Sequence, residues 1–329
     1  MNRRDFLKAG SAGAAAAAAG LLPFGLRLAR AQEEQTYYMV TFVSGIDYWK
    51  DCFRGMEDAA AELGVKAVYT GTPENDITAE ARVVDEVAGQ NPAGILVTCA
   101  NPDGLKPSID AAVDAGIPVV TFDADSPLSK RYSFVGTGNY YAGVVAARYL
   151  GPIVGSGIVA ISSVTAQLNH VQRRQGFIDT LAAEYPAVTT SDDLIIDDQN
   201  NSTIAAQGMS ALLQANPDVK GIFATDALGA VGVAQAVREA GLGEQIKIIG
   251  FDYDEGTLDL IDGGQLGATL AQGTWQMGYW GMKMAYAVRN GLIKSVSDWQ
   301  AAGISPLPPN VDTGVVVISA DNSRYWRAS

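Results

Sequence analysis

The chain has 329 residues, 48% of them hydrophobic, and 36 glycines, a length that suits two domains of ordinary size and a compact chain with many tight turns. Its formal charge of −13 argues against nucleic acid as a partner, because phosphates call for lysine and arginine. With a single histidine, His170, a histidine cluster for zinc is excluded, and a Ser-His-Asp triad would have to use that one residue.

Residues 1–31 read as a targeting segment. Arg3 and Arg4 stand before Phe6-Leu7-Lys8, an alanine-rich apolar run extends to Leu22, and Ala29-Arg30-Ala31 suits small-x-small cleavage. Gly20, Pro23 and Gly25 interrupt the run, which disfavours a membrane anchor, and no cysteine follows for lipid attachment. The segment resembles a twin-arginine export signal, whose receptor reads the arginine pair. Its removal leaves 18 Lys+Arg against 35 Asp+Glu, a charge of −17 that favours solubility. In an oxidising compartment Cys52 and Cys99 could form a disulfide. Both lie in apolar runs, where free cysteine packs as a small hydrophobe, and this second outcome is expected.

From residue 35 the chain alternates strand and helix. Gln35 to Val43 is a first strand, Lys50 to Leu63 a helix closed by Gly64, and Val65 to Tyr69 a second strand. Thr78 to Ala88 is a helix, a strand follows from Ile95, and Leu105 to Ala115 is a helix closed by Gly116. The run from Ile117 to Phe122 then ends on Asp123, the pattern of a strand buried on both faces with a carboxylate just past its end. Tyr132 to Val135 is a short strand, and a helix starting near Asn139 runs to Leu150. The second half repeats the scheme with strands at Ile158 to Ser162, Leu194 to Ile196, around Ile222, up to Asp252, and at Gly267 to Ala271. Helices fall at Val171 to Glu184, Ile204 to Gln214, Val231 to Ala240, Thr257 to Ile261 and Trp275 to Arg289, the last expected to pack back on the first half. Asp312 to Ser319 reads as one final strand joining the second half.

The two halves echo each other. Ala93 to Val97 matches Lys220 to Ala224, and Phe122-Asp123 matches Phe251-Asp252 at a similar offset. Repeated βαβ units imply an α/β fold of two doubly wound parallel-sheet domains. The expected division is 32–137 with 273–305 against 138–272 with 306–329, with crossings near Thr137, Gln272 and Pro306. Ligands of such sheets lie beyond the carboxyl ends of the strands, so each half aims a carboxylate at a common cleft.

Enzyme signatures are missing: there is no G-x-S-x-G elbow, and Tyr141 stands where a dinucleotide fingerprint after Gly136 and Gly138 needs its third glycine. Asp197 to Asn201 lacks the glycine and glutamate of a calcium loop. No metal or cofactor is expected. Asp123, Asn139, Asp226, Asp252 and Gln272 fall at strand ends or helix starts, where they suit either capping or the pairing of ligand hydroxyls. Tyr48 and Trp49 begin a helix, and at least one is expected in the cleft, its ring covering the C–H face of a sugar.

From about Thr36 onward the chain resembles the type I periplasmic sugar-binding proteins, the group of the ribose- and galactose-binding proteins. The twin Phe-Asp strand ends and Gln175-Gly176-Phe177 carry the resemblance. It implies stacking by Tyr48 and Trp49, and hydroxyl contacts from Asp123, Arg173, Asp252 and Gln272. Asn169 stands where galactose-type members carry an acidic residue, and Asp226 where an asparagine is usual. Thr137, Asn200 and Cys99 fall near contact positions. Ala124 replaces the arginine of the ribose-type pattern, which speaks against ribose itself. The resemblance implies a monomeric receptor that closes on a monosaccharide or polyol and delivers it to the membrane permease of an ABC importer. A nucleoside or signalling furanone as ligand, a sensory role feeding a kinase, and an exported hydrolase or oxidoreductase are the competing readings. Asp125 and Asp254, two residues past each carboxylate, are expected to be simple turn residues, and no buried partner is expected to depend on Asp123 or Asp252.

Overall fold

Short, β-branched apolar runs become the strands of two sheets in the computed structural model, which describes residues 35–74, 76–295, 298–299 and 301–327. The export signal lies outside these described residues. Strands β1 (Thr36–Thr41), β2 (Lys66–Gly71), β3 (Gly94–Val97), β4 (Val119–Phe122), β5 (Ser133–Gly136) and β12 (Asn310–Asp312) form one sheet, in the order β12-β5-β4-β3-β1-β2. All its pairings are parallel, and β3 and β4 are buried at every position, as their unbroken hydrophobicity requires.

The second sheet holds β6 (Gly157–Ser163), β7 (Val188–Thr189), β8 (Ile195–Asp197), β9 (Val219–Ala224), β10 (Lys247–Phe251), β11 (Ala268–Gln272) and β13 (Val315–Ser319). Its order is β13-β11-β10-β9-β6-β7, with β8 also on β6, and only the β11–β13 pairing is antiparallel. Leaving out the late strands β12 and β13, both sheets follow one scheme, with β4 and β10 in the same place. Asp123 and Asp252 therefore emerge at corresponding positions.

Helices α1 (Tyr48–Leu63), α2 (Ile77–Gly89) and α3 (Pro102–Asp114) connect the first strands. Helices α4 (Asn139–Val154), α5 (Leu168–Glu184), α6 (Ser202–Ala215), α7 (Ala227–Glu239), α8 (Glu255–Asp262) and α9 (Thr274–Arg289) follow. After β5 and after β11 the chain changes sides: α4 packs on α5, and α9 returns to pack on α1, as expected. Both contacts bring backbones together through glycines. A Cβ at Gly278 would lie 1.7 Å from the Cys52 carbonyl oxygen, and one at Gly55 2.0 Å from that of Trp275. In the other half a Cβ at Gly176 would lie 1.9 Å from the Tyr140 oxygen and one at Gly143 2.0 Å from that of Arg173. Gly176 in the Gln175-Gly176-Phe177 motif is thus a packing requirement of the α4–α5 contact.

Two expectations change. The tail is two strands rather than one: β12 lies parallel on β5 in the first sheet and β13 antiparallel on β11 in the second. The third crossing therefore falls at Thr313-Gly314, with Gly314 at φ 73°, and not near Pro306. The Asp312 carboxylate holds this crossing by accepting from the backbone N–H of Gly138 at 2.7 Å and of Gly314 at 2.8 Å. As expected, Cys52 and Cys99 are both buried and both free, packed in separate apolar clusters of the first sheet's layers.

Candidate functional site

Strand ends decide the geometry. Asp123 and Asp252 follow β4 and β10 with φ of 60° and 61°, the left-handed region that aspartate tolerates better than most residues. The same backbone turn at both ends explains why the Phe-Asp pair recurs. Each carboxylate already has an internal partner. The Tyr48 hydroxyl donates to Asp123 Oδ1 at 2.6 Å, and Gln272 Nε2 donates to Asp252 Oδ1 at 2.6 Å. The expectation that no buried partner depends on them is corrected by these bonds.

Arg173, on α5, is the centre of the cluster. Only 2% exposed, it stacks its guanidinium on the Phe251 ring at 3.7 Å. Nε donates to Asn139 Oδ1 at 2.9 Å, Nη1 to the Thr225 carbonyl at 2.8 Å, and Nη2 to Gln272 Oε1 at 3.2 Å. Its bonded acceptors are neutral, while Asp252, Asp123 and Asp226 act on it through space. Burial pushes the Asp123 carboxyl up to about 6 against the pull of the Tyr48 hydrogen bond and the Arg173 charge. Asp252 is raised by burial too, and Tyr48 is raised by burial and then by the Asp123 charge.

Thr137 and Gln272 occupy the first and second crossings, and the Thr137 hydroxyl donates to Gln272 Oε1 at 2.6 Å. Asp226 caps α7 by accepting from Gly229 N at 2.7 Å. Burial first, and then the neighbouring Asp198 charge, pushes its carboxyl up to about 7. His170 is buried, shares a 2.8 Å hydrogen bond with Thr225 Oγ1, and is held well below its usual range by burial and by Arg173. A cleft of about 510 Å³ opens beside the cluster, and Asp123, Thr137, Asn139, Asn169 and Cys99 line it.

Two expected contacts fall elsewhere. Trp49 is 2% exposed, its indole N–H donates to the Phe42 carbonyl at 3.0 Å, and its ring meets Phe122 and Tyr48 edge-on. It belongs to the apolar core and buttresses Tyr48, because the α1–α9 contact turns that face inward. Asn200 is exposed at φ 51° and uses its backbone N–H on Asp198 Oδ1 at 3.0 Å, outside the Arg173 cluster. The presumed twin turn residues also differ from each other. Asp254 caps α8 through Thr257 N at 2.6 Å, whereas Asp125 forms a nearly buried bidentate pair with Arg131, which also holds the Pro309 carbonyl at 2.7 Å.

Sequence reasoning missed Glu80, Arg131 and Asp312. Among these, only Asp312 carried a local signal, as the aspartate of an Asp-Thr-Gly turn. Among the described residues no group of three or more His, Cys, Asp or Glu side chains is placed to hold a metal ion.

Comparison with known proteins agrees with this geometry. Residues 37–292 match the periplasmic binding protein domain, and residues 1–20 match the signal sequence of the twin-arginine translocation pathway. The sugar-binding protein of a sugar ABC transporter from Bacillus halodurans is 43% identical, with a TM-score of 0.86 over 89% of this chain and 100% of that one. AraP, an arabinose binding protein from Geobacillus stearothermophilus, is 40% identical, with a TM-score of 0.82 over 90% of this chain and all (100%) of that one. The ribose import binding protein RbsB of Escherichia coli is 24% identical over 265 residues, covering 80% of this chain and 88% of its own.

Proposed function

Since the chain belongs to the periplasmic binding protein family and carries a twin-arginine export signal, we propose that it is a periplasmic receptor that captures a monosaccharide or related polyol and passes it to an ABC importer. The observation that carries this reading is the convergence of Asp123 and Asp252, from corresponding strand ends of two sheets, on one buried arginine. Carboxylates accept from hydroxyls in fixed directions, and each charge-assisted bond is worth about 1.5–3 kcal/mol where water is excluded. Asp123 and Asp252 accept from the ligand, Arg173, Asn139 and Gln272 donate or accept, and Tyr48 presents its ring; Asn169 and Asp226 adjust hydroxyl preference. The two lobes meet at Thr137, Gln272 and Thr313, so closure about these crossings traps the ligand. The permease then reads the closed form of a monomer, and the work of transport belongs to it.

A thermal-shift screen over pentoses, hexoses, cyclitols and nucleosides tests the reading. A ligand at 100 times its Kd stabilises the protein by about 2.7 kcal/mol, a shift of several degrees. Stabilisation by one or a few sugars or cyclitols is expected. Stabilisation by nucleosides alone, or by no member of the panel, would overturn the assignment to sugars.

A further inference from the structure

A pair of buried carboxyls adjoins the Arg173 cluster in the second sheet's half. Asp198, just past β8, is 0% exposed, and Asp226, past β9, is 5% exposed. The two side chains lie within hydrogen-bond reach of each other. A Cβ on Gly229 would lie 2.6 Å from Asp198 Oδ2 and 3.2 Å from Asp226 Oδ1, so both oxygens border one small space at the start of α7. Asp198 is fixed there by its backbone, whose N–H donates to the Ser163 carbonyl at 3.1 Å and whose carbonyl accepts from Asn201 N at 2.9 Å.

No cation bonds to either carboxyl. On α5, Arg173 donates to neutral acceptors, and Arg174 donates to Ser163 Oγ at 2.7 Å and to the Thr165 carbonyl at 3.0 Å. His170 Nδ1 is 3.9 Å from Asp226 Oδ2, but burial and the two arginines hold the ring neutral. The other charges acting on the pair, Asp197 and Asp252, are negative. Asp198 accepts from Ser162 Oγ at 2.6 Å and from Asn200 N, Asp226 Oδ1 accepts from Gly229 N, and Asp226 Oδ2 meets no donor. An ionised carboxylate only accepts, so a hydrogen bond between these two side chains requires a proton.

Resting on the receptor reading above, we infer that Asp198 is a positioning residue of the binding site, which shares one proton with Asp226 and so holds the turn that sets Thr225 against Arg173. The Thr225 carbonyl accepts from Arg173 Nη1 at 2.8 Å, and its hydroxyl bonds His170. Burial and the partner's charge push the Asp226 carboxyl up to about 7, so the shared proton leaves as pH rises through neutrality. Two like charges then repel in one buried space, Asp226 and Thr225 shift, and Arg173 loses an anchor.

Two measurements test this. In the ligand-free exported protein, carbon-13 NMR of the aspartate carboxyls should show one that titrates near neutrality, and the Arg173 Nε–H resonance should move with the same midpoint. Both changes should vanish in Asp198→Asn, whose amide donates to Asp226 at every pH, and in Asp226→Asn, whose amide donates to Asp198. Calorimetry with arabinose, xylose, ribose, galactose and glucose then reads the site. For a sugar that binds, affinity in the parent should fall at least about fivefold from about pH 6.5 to about pH 8.5, and in Asp198→Asn by less than about twofold. Asp123 and Glu80 titrate alike in parent and variant, so the comparison cancels them. A neutral-range aspartate that is absent, or that persists in Asp198→Asn, overturns the shared proton. An Arg173 resonance or a sugar affinity that ignores the titration overturns the positioning role. If no sugar in the panel binds, the sugar reading falls alone, because both resonances are read without ligand.

Discussion

Thr137 follows β5 and Gln272 ends the corresponding strand β11, and the hydroxyl of the first donates to the amide oxygen of the second at 2.6 Å. Gln272 also accepts from Arg173 and donates to Asp252, so the bond joins two crossings to the centre of the cluster. Thr137→Val and Gln272→Leu are expected to be non-additive, with a coupling of about 0.5–1.5 kcal/mol in ligand affinity from a double-mutant cycle. Additive losses would show that the crossings act independently on the site.

The twin carboxylates carry a second expectation. Asp123→Asn and Asp252→Asn keep a side chain that tolerates the left-handed backbone and remove the charge. Each should weaken binding by roughly 10- to 150-fold per charge-assisted bond lost. Alanine at either position adds about 1 kcal/mol of backbone strain and strands Tyr48 or Gln272, so it should also lower stability. Asp254→Ala should cost about 1 kcal/mol as a lost cap. Asp125→Ala should cost about 3 kcal/mol or more, because it leaves the Arg131 charge nearly buried and unpaired. Titration and denaturant melts on this set separate the roles, and tight binding by both asparagine variants would remove the carboxylates from the site.

Gly176→Ala places a Cβ 1.9 Å from the Tyr140 carbonyl oxygen, so α4 and α5 must part. A loss of about 1–3 kcal/mol in a denaturant melt is expected. Because α5 carries Arg173 and α4 carries Asn139, ligand affinity should fall as well. An unchanged melt would mean that this close approach does not hold the helices.

Closure should be visible in tryptophan emission, and Trp275 is the expected reporter. It sits beside the Gln272-Gly273 crossing, donates its indole N–H to Asp58 at 2.8 Å and stacks on Tyr279 at 4.6 Å. Trp49 is sealed in the core and should contribute little to the change. Trp275→Phe should remove most of the ligand-induced shift. A bound ligand that alters neither emission nor the radius of gyration in solution scattering would sink the hinged closure.

Glu80 makes stability depend on pH. Its side chain is fully buried, Oε2 accepts from Ala100 N at 3.1 Å, Oε1 has no hydrogen-bond partner, and burial raises the carboxyl from 4.5 to about 7. Between those values the folded protein holds a proton that the unfolded chain has released, so stability falls as pH rises through this window. The effect amounts to up to about 3 kcal/mol. Asp226, raised to about 7, and Asp123, raised to about 6, act in the same sense. Melting temperature should therefore drop less from about pH 5 to about pH 8 in Glu80→Gln than in the parent, since the amide cannot titrate. Equal slopes would mean that Glu80 is solvated and ordinary.

Some of this architecture is written locally in the chain. Short apolar runs ending in aspartate mark strands buried on both faces, and that composition needs no knowledge of neighbours; Asp123 and Asp252 were legible for this reason. The alternation of strand and helix, and with it the pair of doubly wound sheets, is equally local. The fate of Tyr48 and Trp49 is not. Adjacent helical residues point about 100° apart, and the packing of α9 on α1, more than two hundred residues away in the chain, turns the tryptophan into the core and leaves the tyrosine to Asp123. Three residues, Asn310–Asp312, are too few to show a strand period, so their place in the first sheet depended on pairing with β5. Asp125 and Asp254 look alike along the chain and differ in space, because only Asp125 meets an Arg131. The gathering of Asn139, Arg173, Asp252 and Gln272 likewise required tertiary structure, since crossings and helix contacts decide which strand ends and helix starts meet around one arginine.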